Sequence, residues 1–313
     1  MEIFFIILGI AGLVVGAELT IKGAMAIARR YNLSYAFVGL TILALGTDLP
    51  ELFIVLSGSF HKLAGIEMSD FILGEIIGSA VAQITVVLGV LGLLGLVAVN
   101  KKRLFRDGGM MVLSVVIMYL FGLDGQIQSI EGIFMVLIFL LYIWRLSKDE
   151  KVKKNTHVPH TVPILWGALS LFGGFFVLLY FSDMTLKNAL LLSTKYAIPQ
   201  YIVGFLIVGL GTSLPELVTS IVAVKRKAVG MAVGNLFGSN IVDILFIVGV
   251  GSAIAPNTIH PSLIKFDIPS LFLISVLVVL LFLFSKKLPK TGSVLLIVIY
   301  VLFVLWKLSL LLF

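Results

Sequence analysis

The feature that most limits how this chain can fold is a short polar string that occurs twice, each time inside a stretch apolar enough to cross a bilayer. The first copy is Gly46-Thr47-Asp48-Leu49-Pro50-Glu51; the second is Gly211-Thr212-Ser213-Leu214-Pro215-Glu216. A carboxylate at that depth is costly and ordinarily marks a substrate or ion pathway. Proline has no N–H, and its ring clashes with the carbonyl four residues back, so each helix should bend or break there. The carbonyls freed in this way belong to Gly46 and Gly211. Carbonyls, a threonine hydroxyl and a glutamate together make the oxygen-rich ligand set that Na⁺ and Ca²⁺ prefer.

The surrounding sequence fits a membrane solvent. Only 12% of the residues are charged and 60% are hydrophobic, roughly half the charged share of a soluble domain. The apolar runs reach spanning length, so the fold class is predicted to be an all-α polytopic membrane protein. The short alternating segments of a membrane barrel are absent. Met1-Glu2 lacks a basic n-region, and the first apolar run continues into Glu18 and Lys22, so no cleavable signal is expected. With no cysteine, disulfides and thiolate metal sites are excluded.

Apolar runs give ten transmembrane helices, at roughly 3–28, 36–60, 70–98, 108–123, 127–146, 162–192, 198–224, 229–254, 266–285 and 291–312. Numbering them sorts the loops into two sets. One holds Arg29 and Arg30; Lys101, Lys102, Arg103 and Arg106; Arg145, Lys148, Lys151, Lys153 and Lys154; Lys225, Arg226 and Lys227; and Lys286, Lys287 and Lys290. That is 17 of the 23 basic residues. The other set holds Lys62, Lys195 and Lys265. The basic set should be cytoplasmic, which predicts a multi-pass cell-membrane protein with both termini outside. The net charge of +7 is therefore read as loop topology, with lipid and inorganic cations as partners and no nucleic acid.

The ten spans fall into two inverted five-helix repeats, roughly 1–147 and 161–313, joined by a short basic linker at 148–160. Five is odd, so the second half must enter the membrane in the opposite sense. Thr47 through Glu51 aligns with Thr212 through Glu216 at an offset of 165 residues, and Gly39 with Gly204. Glu18 aligns with Asp183. Gly74-Glu75-Ile76-Ile77-Gly78-Ser79 aligns with Gly234-Asn235-Leu236-Phe237-Gly238-Ser239 at an offset of 160, which sets Gln83 against Asp243.

Positions 75, 79 and 83 are four apart and share a helix face, as do 235, 239 and 243. These stripes, flanked by small residues that let helices approach closely, should look inward. Glu51, Glu216 and Asp243 then form a three-carboxylate core, with Asp48 and Glu75 as additions. No lysine or arginine lies in these motifs. Two bare carboxylates about 4 Å apart repel by roughly 4 kcal/mol at an effective dielectric near 20. Something positive must offset that, a metal cation or a proton. Glu18 and Asp183 read as residues near a span end or on a solvated face, and Lys22, Lys187 and Lys307 as side chains snorkelling to an interface. The four histidines fall in loops or at span ends, which argues against a histidine metal site.

The paired strings, each followed by Gly-(Glu/Asn)-x-x-Gly-Ser, resemble the α-repeats of the sodium/calcium exchangers in the calcium/cation antiporter superfamily. The resemblance covers nearly the whole chain. It implies four ion sites near the midplane, with Glu51 and Glu216 as central calcium ligands. Thr47, Thr212 and the carbonyls of Ala44 and Gly209 would assist them. Ser79, Ser213 and Ser239 would line flanking sodium sites, and Asp243 would match a further central acid. The long first span of each half would slide as a gate helix. The first repeat departs from the family pattern at Asp48, Glu75 and Gln83, where serine, asparagine, and asparagine or aspartate are usual.

These residues support an antiporter exchanging Ca²⁺ for Na⁺ by alternating access, acting without a cofactor or enzymatic activity and able to work as a monomer. The extra carboxylates Asp48 and Glu75 favour a divalent-cation/H⁺ antiporter as the alternative. An intramembrane aspartyl protease using Asp48 and Asp243 is a remote one, because those two residues do not occupy equivalent repeat positions. A cation channel fits two occluding, proline-broken sites less well.

Overall fold

The computed structural model describes residues 1–30, 44–95, 97–99, 101–149, 164–225, 229–285 and 287–309. The stretch containing Gly39 and almost all of the basic linker lie outside the described residues. Among the described residues the elements are helices apart from two short strands. Helix α1 is Glu2–Arg30. Helix α2 is the turn Ala44–Thr47 followed by Leu49–Leu63. Helices α3 and α4 are Ser69–Leu94 and Lys101–Asp124. Helices α5 and α6 are Ser129–Asp149 and Ile164–Tyr196. Helix α7 starts at Gln200 and resumes, past Ser213, as Leu214–Lys225. Helix α8 starts at Val229 and runs to Ile254. Helices α9 and α10 are Leu263–Ser285 and Lys290–Ser309. Among the described residues nine helices are long and apolar enough to cross a membrane; α2, described only from Ala44, is the other span.

The breaks fall where proline chemistry puts them. Helix α2 is interrupted at Asp48 and α7 at Ser213, in register across the repeat. Pro50 and Pro215 each follow two residues later, in the first turn of the resumed helix. There the missing N–H has no intrahelical partner to lose. Wider turns recur in register as well. Helices α3 and α8 contain π-bulges at Gln83–Val87 and Val242–Ile247, and α4 and α9 at Leu104–Gly108 and Leu263–Asp267. Such bulges often accompany functional sites. The helix α4 begins at Lys101, earlier than its apolar run, because a helix continues into a basic turn that a hydropathy window discards.

Loop contacts sort the two faces of the bundle. Strand β1, Gln126–Ile127, pairs antiparallel with β2, Asn257–Thr258, joining the α4–α5 and α8–α9 loops. Lys62, in the last turn of α2, donates to the carbonyls of Ala255 and Pro256 and to Asn257 Oδ1. Lys195, in the last turn of α6, bridges to Glu2 at 3.0 Å. All of these belong to the face that carries the N-terminus. On the opposite face Ala98 forms a bridge with Lys287. Every pairing joins loops that an alternating ten-span path assigns to one side.

Helix α3 is the hub, buried almost throughout from Phe71 to Thr85. Backbone touches backbone where it meets α7. A Cβ on Gly74 would lie 2.4 Å from the Tyr201 carbonyl oxygen, and one on Gly78 2.4 Å from that of Phe205. Gly204 and Gly209 present the same closeness from the α7 side. Helices α1 and α6 cross through Gly9, Gly12, Gly16, Gly23 and Gly174. The outer faces of α5 and α6 expose leucine, phenylalanine and tryptophan, as lipid contact requires.

The charges outside the hub are of two kinds. Lys22 pairs with Glu18 on exposed surface, and the exposed Lys187 pairs with the half-buried Asp183, both at i,i+4 spacing. Lys307 corrects its expected snorkelling: it is fully buried and 2.5 Å from the equally buried Asp267.

Candidate cation site

The two helix breaks meet the stripes of α3 and α8 in the middle of the bundle. Helix α3 contributes Glu75, Ser79 and Gln83, and α8 contributes Ser239, Asn240 and Asp243. The breaks contribute Thr47, Asp48 and Glu51 from α2, and Thr212, Ser213 and Glu216 from α7. All twelve side chains are buried. Of the polar residues that the sequence singled out these are all interior, whereas Asn235, on the same stripe as Ser239 and Asp243, is only half-buried. Ala44 opens the turn of α2 in register with Gly209 of α7.

Cross-repeat hydrogen bonds set the geometry. Ser79 Oγ donates to Glu51 Oε1 at 3.0 Å and lies 2.9 Å from Ser213 Oγ. Thr212 Oγ1 donates to Glu75 Oε1 at 2.9 Å. The Gln83 amide donates to Ser79 Oγ at 3.1 Å and to Asp243 Oδ2 at 3.3 Å, and its oxygen accepts from Asn240 Nδ2 at 2.7 Å. Asn240 is the member of this network that the sequence reading left without a role, although it adjoins Ser239. The Gly209 carbonyl accepts from Ser213 Oγ at 2.8 Å and from the Ser213 N–H at 3.3 Å, and lies 3.3 Å from Thr212 Oγ1. For that carbonyl to face an ion, the hydroxyls must rotate away from it.

What the network leaves undone is more informative. Among the described residues, both oxygens of Asp48 and of Glu216, together with Glu51 Oε2, Glu75 Oε2 and Asp243 Oδ1, have no hydrogen-bond partner, nor has Ser239 Oγ. A buried polar atom left unpaired costs about 1–3 kcal/mol, more if charged. The five carboxylates also repel one another: Glu216 feels Glu51, Asp48 and Asp243, and Glu51 feels Glu75 and Asp48. No Lys or Arg lies among these twelve residues. Among the described residues no three acidic or histidine side chains converge as a ready-made metal cage. A cation here would draw on hydroxyls between the carboxylates, as the interleaved Ser79, Ser213 and Thr212 permit. The donor set is all oxygen apart from two amides, which suits Na⁺ and Ca²⁺.

Comparison with known proteins agrees with this chemistry. A family model described as sodium/calcium exchanger protein matches residues 1–148 and 166–309. The inner membrane protein YrbG of Escherichia coli is 28% identical over 291 residues, covering 88% of this chain and 87% of its own. The sodium/calcium exchanger MaX1 of Methanosarcina acetivorans is 25% identical over 346 residues, covering 97% of each. Among solved structures, the sodium-calcium exchanger NCX_Mj soaked with Na⁺ and Sr²⁺ aligns over 96% of both chains, with a TM-score of 0.67 and 27% identity.

Proposed function

The chain belongs to the sodium/calcium exchanger protein family, and we propose that it exchanges Ca²⁺ for Na⁺ across the cell membrane by alternating access. The observation that carries this reading is the pair of repeat-related glutamates, Glu51 and Glu216, buried with partnerless oxygens beside Ser79 and Ser213. Ca²⁺ would bridge the two glutamates, with Asp243, Thr47 and Thr212 near it. Na⁺ would use the hydroxyls of Ser79, Ser213 and Ser239, uncharged ligands suited to a monovalent ion. The carbonyls of Ala44 and Gly209 would complete the shells. The N-terminal face is read as external, because the basic loops lie opposite. One chain supplies the whole site, so the monomer would be the working unit, and no cofactor enters the cycle.

Proton coupling is the second reading, and Asp48 is what favours it. Its two oxygens are partnerless and buried where the family pattern has a hydroxyl. The protease reading is dropped, since the family is one of transporters. Uptake of radiolabelled Ca²⁺ into proteoliposomes, driven separately by Na⁺ and H⁺ gradients, tests both. Sodium-driven uptake abolished by Glu51→Gln and by Glu216→Gln is the expected result. Uptake driven only by H⁺ transfers the function to the second reading, and uptake indifferent to both glutamates overturns the site.

A further inference from the structure

Lys307 and Asp267 are also sealed inside the protein, and the exchange chemistry uses neither. Asp267 ends the π-bulge of α9, and Lys307 lies near the end of α10. The ammonium is 2.5 Å from Asp267 Oδ2. It also lies over three rings, 4.6 Å from the centroid of Tyr201, 5.3 Å from Phe205 and 5.2 Å from Trp306. Tyr201 and Phe205 are one turn apart on the first part of α7. Phe205 stacks on Phe303 of α10 at 5.2 Å, and Tyr201 stacks on His260 at 4.2 Å. The other flank of this same stretch is the one pressed against α3 through Gly74, Gly78, Gly204 and Gly209. The first part of α7 is therefore clamped between α3 and the α9–α10 pair. It ends at Thr212 and Ser213, whose hydroxyls reach Glu75 and Ser79.

A buried ion pair is a poor source of stability. Replacing both partners by neutral groups of similar volume is often neutral or stabilising, and the best-attested use of such a pair is to fix register. An ammonium held by one carboxylate and ringed by π faces is satisfied at only one axial position. The repeat makes the point sharper. Asp107 stands in register with Asp267, at the same π-bulge of α4. Its partners are the Tyr142 hydroxyl at 2.9 Å and the adjacent Arg106 at 2.6 Å. The acid recurs in both halves, whereas the sealed lysine belongs to one.

We propose that the Asp267–Lys307 pair is a positioning element for the cation site, holding the first part of α7 at the register where Thr212 and Ser213 face Glu75 and Ser79. It rests on the reading of the buried polar cluster as a cation site. The test uses the purified full chain carrying Asp267→Asn with Lys307→Met, and separately Tyr201→Leu, which keeps the ion pair and removes one ring. Two readouts are taken: amide hydrogen exchange across residues 200–212, and Ca²⁺ affinity by titration. The double variant should melt near the wild-type temperature. Its exchange across 200–212 should quicken, and its Ca²⁺ affinity fall, by about tenfold each. Tyr201→Leu should move both in the same direction by about threefold, and Lys307→Arg should restore both. Unchanged exchange and affinity in Tyr201→Leu overturn the proposal even if the double variant fails to fold. Exchange that quickens equally in every helix overturns it as well, because that is general loosening. If wild-type protein binds no Ca²⁺, the function above fails, while the exchange measurement still decides the positioning role.

Discussion

Gly78→Ala isolates the contact on which the site geometry depends. The added Cβ would lie 2.4 Å from the Phe205 carbonyl oxygen, 2.6 Å from its Cα and 2.9 Å from its carbonyl carbon. All three are backbone atoms, so no rotamer change relieves the clash. Ordinary contact begins near 3.4 Å, so α7 must withdraw from α3 by about 1 Å. The Thr212–Glu75 and Ser213–Ser79 contacts, both 2.9 Å, would then open to about 4 Å, beyond hydrogen-bonding range. Overpacking of this kind costs about 1–3 kcal/mol, which should lower the melting midpoint by several degrees. Losing the Thr212 hydroxyl from the Ca²⁺ shell, at about 1 kcal/mol, weakens Ca²⁺ binding by about fivefold. Calorimetric titration of detergent-purified protein with Ca²⁺, beside a thermal melt, reads both quantities. Gly109→Ala is the matched control: nothing lies within 4 Å of its built Cβ, and a helical alanine gains up to about 1 kcal/mol over glycine. If Gly78→Ala melts and binds Ca²⁺ as wild type does, α3 and α7 do not touch backbone to backbone and the reasoning fails.

Glu51→Gln and Glu216→Gln should each abolish Ca²⁺ uptake while leaving the fold intact, since removing a buried carboxylate charge relieves a desolvation cost. Circular dichroism beside the flux assay separates the two effects. Asp48→Ser should retain Ca²⁺ exchange but weaken the apparent affinity for the coupling cation by about tenfold; identical ion and pH dependence would show that Asp48 takes no part in coupling. Lys62→Met removes an ammonium that bonds Asn257 Oδ1 at 2.8 Å, and should cost about 1 kcal/mol. The loss should appear as faster hydrogen exchange confined to the loop around residues 255–258.

The membrane class, the spans and the two five-helix halves were all legible in the linear chain, and so were the candidate carboxylates that the structure buries. Each follows from a rule that acts within a turn or two: apolar length for a span, proline sterics for a break, four-residue spacing for a shared face. Asp48 and Ser213 interrupt their helices where Pro50 and Pro215 require it. The tertiary structure alone decided which oxygens are bridged and which are left bare. Thr212 answers Glu75 across 137 residues, and Gln83 answers Asp243 across 160. Those pairings depend on how closely α3 and α7 approach and on how α8 is rotated, which no local pattern records. Lys307 shows the same limit. Its position near a span end reads as snorkelling, because sequence shows depth but not direction, and its partner Asp267 lies 40 residues away on another helix.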